Sequence, residues 1–138
     1  MKIVVGADDE AAVVDTVVDE LRARGHDVTV LERAEWPDVA KRVAESVASG
    51  AAEQGVLFCW TGTGTSMAAN KVPGVRAAMC YDEASARNSR EHNGANMLTL
   101  GGKVISNEKM RDIVRVWLAT DLTEERHRRR VAKIDALL

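Results

Sequence analysis

An unbroken apolar run, Val56-Leu57-Phe58, leads directly into Cys59-Trp60-Thr61-Gly62-Thr63-Gly64-Thr65-Ser66 and then into small residues suited to a helix. A strand with no polar position is covered on both faces, the condition of a strand inside a parallel sheet. Two glycines one residue apart then carry the chain from strand to helix through a tight loop. Backbone N–H groups in such a loop face the carboxyl end of the strand, where they favour an anion or a developing oxyanion. Cys59 stands at the mouth of this loop, placed to act as nucleophile or general base. The competing reading of a cysteine that closes an apolar run is a small buried hydrophobe. The glycine loop favours function.

The same alternation extends along the chain. Ile3 to Val5 read as a first strand ending at Gly6-Ala7-Asp8-Asp9, followed by a helix with Val14, Val17, Val18 and Leu21 on one face, closed by Gly25. Val28 to Leu31 form a second strand, and Trp36-Pro37-Asp38 opens a helix that stops at Gly50. After the Gly55–Lys71 segment, Val75 to Cys80 read as a fourth strand, and Asp82 caps a helix carrying Arg87, Arg90 and His92. Met97 to Leu100 make a fifth strand before Gly101-Gly102-Lys103. Met110, Ile113, Val114, Trp117 and Leu118 mark an amphipathic helix, and a last helix, about 123–138, carries Val131, Ile134 and Leu138 on one side. Five strand–helix units with short connections predict a three-layer α/β/α sandwich with a five-stranded parallel, Rossmann-like sheet and a C-terminal helix. Residues 1–138 are read as one domain. The strand tails Asp8-Asp9, Cys59-Trp60-Thr61, Tyr81-Asp82 and Gly101-Gly102-Lys103 then share one rim, where ligands of such sheets bind.

Composition narrows the function. The 138 residues are 46% hydrophobic and 29% charged, ordinary for a globular protein and no indication of disorder. A net charge of −2 argues against general nucleic-acid binding. The two cysteines form no Cys-x-x-Cys or Cys/His cluster, so neither a redox pair nor a zinc site is expected. No run of ~20 apolar residues exists for a membrane helix, the N-terminal run is too short for a signal peptide, and a cytoplasmic protein is expected. Gly62 and Gly64 lack the third glycine of a dinucleotide loop and the Gly-Lys-Ser/Thr ending of a P-loop, so both nucleotide readings fall.

Further candidates lie outside the loop. His92, followed by Asn93, has a side chain whose ordinary pKa of ≈ 6.5 suits proton transfer. A surface or capping histidine is the plainer reading. Arg126-His127-Arg128-Arg129-Arg130 is the strongest charge cluster, and Arg126 and Arg130, four apart, share a helix face and can grip one phosphate. Otherwise the cluster is a solvated helix end.

Taken together, Cys59-x-Thr61-Gly62-x-Gly64-x-Ser66-x-Ala68-Ala69-Asn70-Lys71 resembles the signature of the ribose-5-phosphate isomerase B and galactose-6-phosphate isomerase family. Trp36-Pro37-Asp38, Arg76-Ala77-Ala78, Arg90-Glu91-His92-Asn93-x-Ala95-Asn96, Gly101-Gly102 and Arg126-His127-x-x-Arg130-Val131 follow in the family's order over nearly the whole chain. The resemblance implies an aldose–ketose isomerase acting on a sugar phosphate through a cis-enediolate, with no metal and no cofactor. Cys59 would be the base, and Thr65 occupies the position where other members carry a glutamate. His92 would open the sugar ring while Asn93 positions hydroxyls. The loop residues Thr61, Gly62, Thr63, Gly64 and Thr65 would hold the enediolate oxygens. Arg126 and Arg130 would bind phosphate across the interface of a homodimer or a dimer of dimers with shared sites, the C-terminal helix packing on the partner.

Three positions depart from the pattern. The family's Asp-His pair is Asp8-Asp9 here, the glycine after the cysteine is Trp60, and the arginine after Gly101-Gly102 is Lys103. A second carboxylate beside a phosphate is unfavourable, a large ring reshapes the pocket, and a lysine loses the bidentate fork. These changes predict a substrate other than plain ribose 5-phosphate. The alternative is a non-catalytic or partner-dependent subunit of a related isomerase. A phosphoacceptor receiver domain shares the acidic pair and the late lysine but needs an aspartate where Cys59 stands, and a redox-sensing cysteine protein is the weakest rival.

Overall fold

The computed structural model describes residues 1–138. Five strands, β1 (Lys2–Ala7), β2 (Asp27–Val30), β3 (Gln54–Cys59), β4 (Ala77–Met79) and β5 (Met97–Gly101), alternate with helices α1 (Ala12–Ala23), α2 (Trp36–Ala48), α3 (Thr63–Ala69), α4 (Glu83–Glu91) and α5 (Asn107–Ala119). A sixth helix, α6 (Glu125–Asp135), closes the chain. All neighbouring strands are parallel, in the order β2-β1-β3-β5-β4. The chain steps outward from β1 to β2 and then crosses back over β1 to β3. Strand order therefore reverses between β1 and β3, and the crevice at their carboxyl ends is the expected ligand position.

Every residue of β3 is buried, as its unbroken apolar run requires. Val56 and Phe58 face one layer, with Val17 and Leu21 of α1 and Ile113 and Trp117 of α5. Leu57 faces the other, with Val39, Val43 and Val47 of α2 and Ala69 of α3. Alternation of side chains along the strand thus feeds two cores on opposite faces of one sheet. On the second face α2 lies so close to the sheet that a Cβ on Gly6 would stand 2.6 Å from Val39. Glycine at that position sets how near the helix can come. At the amino edge a buried hydrogen bond joins the layers, Trp117 Nε1 donating to Gln54 Oε1 at 2.9 Å.

Two elements differ from expectation. The fourth strand covers Ala77–Met79 instead of residues 75–80. Side chains replace its ladder at the start: Arg76 N–H donates to Asn96 Oδ1, and Asn70 both accepts from Ala77 N–H and donates to Ala77 O. In α6 the buried side chains are His127 and Val131, while Ile134 and Leu138 are exposed. The helix ends at Asp135, whose carboxylate takes both bonds from one Arg76 nitrogen, so Leu137 and Leu138 lie beyond it. The expected cap at Asp82 is present as a capping box with Ser85.

Replacing Trp117 by Phe keeps most of the buried ring and deletes the donor to Gln54. An acceptor left unpaired in that setting costs about 1–3 kcal/mol. Urea unfolding of Trp117→Phe is expected to read a loss in that range.

Candidate active site

Cys59 ends β3 between the ends of β1 and β5, and three backbone hydrogen bonds fix its surroundings. Asp8 N–H donates to Phe58 O at 3.3 Å, Gly102 N–H to Cys59 O at 2.8 Å, and Lys103 N–H to Trp60 O at 3.3 Å. The thiol is buried, and its Sγ lies 3.3 Å from Thr65 Oγ1 on the first turns of α3. Thr65 Oγ1 also lies 3.3 Å from Gly62 O. Gly62 enters α3 at φ +86°, and a Cβ there would meet Leu100 C at 3.0 Å, so both conformation and space require glycine. The turn leaves the N–H groups of Thr61 and Gly62 without an acceptor inside the protein. Thr63 N–H points to Thr61 Oγ1, and the Thr63 hydroxyl reaches Met79 Sδ. Gly64 lies beneath the ring of Trp36.

A cavity of about 50 Å³ opens beside the thiol, walled by Asp8, Asp9, Phe58, Trp60 and Lys103. It adjoins a broader cleft of about 1070 Å³ between the ends of β1 and β2, with Asp9, Ala11 and Lys103 common to both. Asp9 is turned toward its own backbone, its Oδ1 accepting from Glu10 N–H at 2.7 Å. Lys103 crosses from β5 to the β1 loop, its Nζ donating to Glu10 O at 2.7 Å and lying 6.0 Å from the centre of the Trp60 ring. That ring is 65% exposed and forms one lip of the opening. Burial pushes the Asp8 carboxyl above the ordinary carboxylate value. Its own backbone N–H works against that, Asp9's charge adds to it and Lys103 again opposes it. No group of three or more His, Cys, Asp or Glu side chains is arranged around a metal position.

The remaining candidates lie at the other end of the sheet. Helix α4 starts at the carboxyl edge and runs back, so His92 and Asn93 emerge near the amino end of β5. Cys59 is aligned with Gly101 and Gly55 with Met97, so the two ends are about 13 Å apart along the strands at ~3.3 Å per residue. His92 stacks on His127 there, ring centres 4.7 Å apart. Arg126 and Arg130 are exposed on α6, and Arg126 Nε donates to Glu124 at 2.7 Å. Within one chain, Asp8, Asp9, Cys59, Trp60, Thr61, Gly62, Thr63, Gly64, Thr65 and Lys103 therefore share one rim. His92, Asn93, Arg126 and Arg130 share the opposite one.

Reading the sequence left His127 inside a charge cluster, whereas its ring is buried and its Nε2 has no hydrogen-bond partner. Its spacing of four from Val131 was the signal for an inward position. Trp36, noted as a helix start, also roofs the glycine loop.

The chain matches the Ribose/Galactose Isomerase family over residues 3–134. It is 42% identical over 106 residues to ribose-5-phosphate isomerase B of Escherichia coli, covering 77% of this chain and 71% of that one. It is 38% identical over 125 residues to D-erythrulose-4-phosphate isomerase of Pectobacterium atrosepticum, covering 86% and 82%. Among solved structures, ribose-5-phosphate isomerase B of Clostridium thermocellum superposes with a TM-score of 0.92 at 42% identity, over 99% of this chain and 97% of that one.

The raised Asp8 carboxyl gives the fold a pH signature. The unfolded chain releases this proton first, so the stability Asp8 contributes is complete below the ordinary value of 3.8 and is lost as pH rises through the higher folded value. Against Asp8→Asn, the wild type's urea midpoint should fall steadily as pH climbs from below 3.8 toward neutrality. A midpoint difference that stays flat across this interval would contradict the assignment.

Proposed function

The chain belongs to the ribose/galactose isomerase family of sugar-phosphate isomerases, and we propose that it interconverts an aldose phosphate and its ketose through a cis-enediolate with Cys59 as the base. One observation carries this reading: a buried thiol, hydrogen-bonded to Thr65, opens beside two unused backbone donors at the point where strand order reverses. In the forward direction the Cys59 thiolate takes the proton from C2 of the opened aldose. The C–H electron pair becomes the C1–C2 double bond as the C1 carbonyl pair moves onto O1. The O2 hydroxyl proton passes to O1, and the thiol returns its proton to C1 as O2 becomes the carbonyl of the ketose. The N–H groups of Thr61 and Gly62 hold the charge that develops on oxygen, and the Thr61 and Thr63 hydroxyls with Gly64 and Thr65 complete that wall. Asp8 and Asp9 accept from substrate hydroxyls. The step is a transfer of protons, and we propose that it proceeds without a metal or cofactor. Its reduced thiol suits the cytoplasm.

Ring opening and phosphate binding are assigned to the opposite rim of a second copy. His92 delivers a proton to the ring oxygen, Asn93 orients hydroxyls, and Arg126 and Arg130 hold the phosphate with Lys103. Since about 13 Å of strand separates the two groups in one chain, a homodimer or a dimer of dimers, with α6 packed on the partner, brings them together. The substrate is proposed to be a sugar phosphate other than ribose 5-phosphate. Asp9 adds negative charge, Trp60 narrows the mouth, and Lys103 is already bonded to Glu10 O. The similarity to a D-erythrulose-4-phosphate isomerase makes four-carbon sugar phosphates the first to test.

Turnover of tetrose, pentose and hexose phosphates by the purified chain should favour a substrate other than ribose 5-phosphate. Cys59→Ala should lower kcat on that substrate by ~10²-fold or more. Clear preference for ribose 5-phosphate overturns the substrate proposal, and full activity in Cys59→Ala overturns the base. Shared sites make a separate prediction. Cys59→Ala and Arg126→Ala/Arg130→Ala chains, each inactive alone, should recover about a quarter of wild-type sites when co-expressed, because half of the random dimers carry one intact site. No recovery despite mixed dimers would place the arginines with their own cysteine.

A further inference from the structure

Thr65 is a buried hydroxyl whose one hydrogen faces two acceptors. Its Oγ1 lies 3.3 Å from Cys59 Sγ and 3.3 Å from Gly62 O, and the side chain is 0% exposed, so water does not share the arrangement. With Cys59 protonated, the sets of donors and acceptors match in one way: the thiol donates to Thr65 Oγ1, and the Thr65 hydroxyl donates to Gly62 O. When the thiol loses its proton, sulfur becomes an acceptor only, and the hydroxyl satisfies it by turning from Gly62 O toward Sγ. Gly62 O is not abandoned by this turn, because Ser66 N–H donates to it at 3.2 Å. Both protonation states of Cys59 therefore keep their hydrogen bonds without any movement of the backbone.

We propose that Thr65 is the positioning residue for Cys59, its hydroxyl exchanging partners between Gly62 O and the cysteine sulfur each time the sulfur gains or loses a proton. This rests on Cys59 being the base of the isomerisation. In the reaction, sulfur takes the C2 proton while the hydroxyl swings to Gly62 O, and it swings back when sulfur gives the proton to C1. The hydroxyl supplies hydrogen bonds and no proton, so the balance of the step is unchanged. The direct contact also holds the sulfur in one rotamer while it waits for substrate. A plain structural role is the competing reading, since a threonine hydroxyl bonded three residues back is a common brace at a helix start. That role needs Gly62 O alone and makes no demand on sulfur.

The two roles separate in the full-length chain with Thr65→Val, which keeps the branched shape and removes the hydroxyl, and Thr65→Ser, which restores it. Alkylation of Cys59 by iodoacetamide is followed by mass spectrometry of its own peptide, which keeps the buried Cys80 out of the reading. Loss of a hydrogen bond to the ionised sulfur should slow alkylation of Thr65→Val about tenfold near pH 7 and leave it near the wild-type rate near pH 10. Thr65→Ser should return to within about twofold of wild type. On the substrate found above, kcat of Thr65→Val should fall by a similar factor with KM unchanged. Wild-type alkylation of a folded Thr65→Val at both pH values overturns the proposal and leaves a structural brace. So does a folded Thr65→Ser that stays as slow as the valine variant. If the alkylation pattern holds while no sugar phosphate is turned over, the positioning role stands and the isomerase reading is what fails.

Discussion

The site depends on how tightly the end of β3 is sewn into its neighbours. Phe58 O, Cys59 O and Trp60 O each accept from a loop N–H, of Asp8, Gly102 and Lys103 respectively. Phe58 O is held from the β1 side and Cys59 O and Trp60 O from the β5 side, and the strand tail has no freedom to slide. The chain then turns sharply over the end of β5. Gly62 makes the turn at positive φ within van der Waals contact of Leu100 and Gly101. A buried sulfur, a buried hydroxyl and two free N–H groups are consequences of that one reversal. Precision here comes from backbone, which is stiff, more than from long side chains, which are not.

The sheet also separates two chemistries. Its carboxyl edge carries the thiol, the carboxyls of Asp8 and Asp9, and Lys103, whose ammonium is already engaged with a carbonyl. Its amino edge carries the histidine pair and the arginines of α6. Parallel strands force this division, because every helix that follows a strand returns its end to the opposite edge. His92 is the clearest case: eleven residues from His92 to Lys103 are spent on a loop, on β5 and on the rim beyond it. In the proposed dimer a second copy brings the opposite edge to the same small molecule. Symmetry of that dimer would give two identical sites for one interface.

Much of the fold was legible because its elements obey one dominant rule each. β3 was readable from an apolar run, α5 from its period, and the start of α4 from Asp82, whose cap the structure completes with Ser85. β4 was not, since Asn70 and Asn96 take over its backbone partners from a distance of many residues, and no local pattern announces that. The loop residues of the site were legible as a group because they are contiguous. The cysteine's partner was less so: that Thr65 meets sulfur follows from the angle at which α3 leaves Gly62. His127 was hidden by its neighbours, four arginines that make an inward imidazole look like part of a solvated run. Burial on a helix is a property of face, and charge clustering in sequence masks it.

The three departures from the family pattern are coupled in space. Trp60 and Lys103 come from different strands, yet the ammonium stands at 6.0 Å over the ring while bonding to Glu10 O. Asp9, one residue earlier, is bonded to Glu10 N–H. One residue, Glu10, therefore has its N–H taken by one altered residue and its carbonyl by another, while the third lines the opening between them. Restoring the family residue at one position alone would leave the other two arranged around a group that is no longer there. An arginine at 103 would meet the Trp60 ring, and a histidine at 9 would release Glu10 N–H. Non-additivity is the expected behaviour of residues that share a partner. The β1 loop and the β5 tail form one bonded unit at the opening, built on Glu10 backbone atoms that carry no side-chain signal.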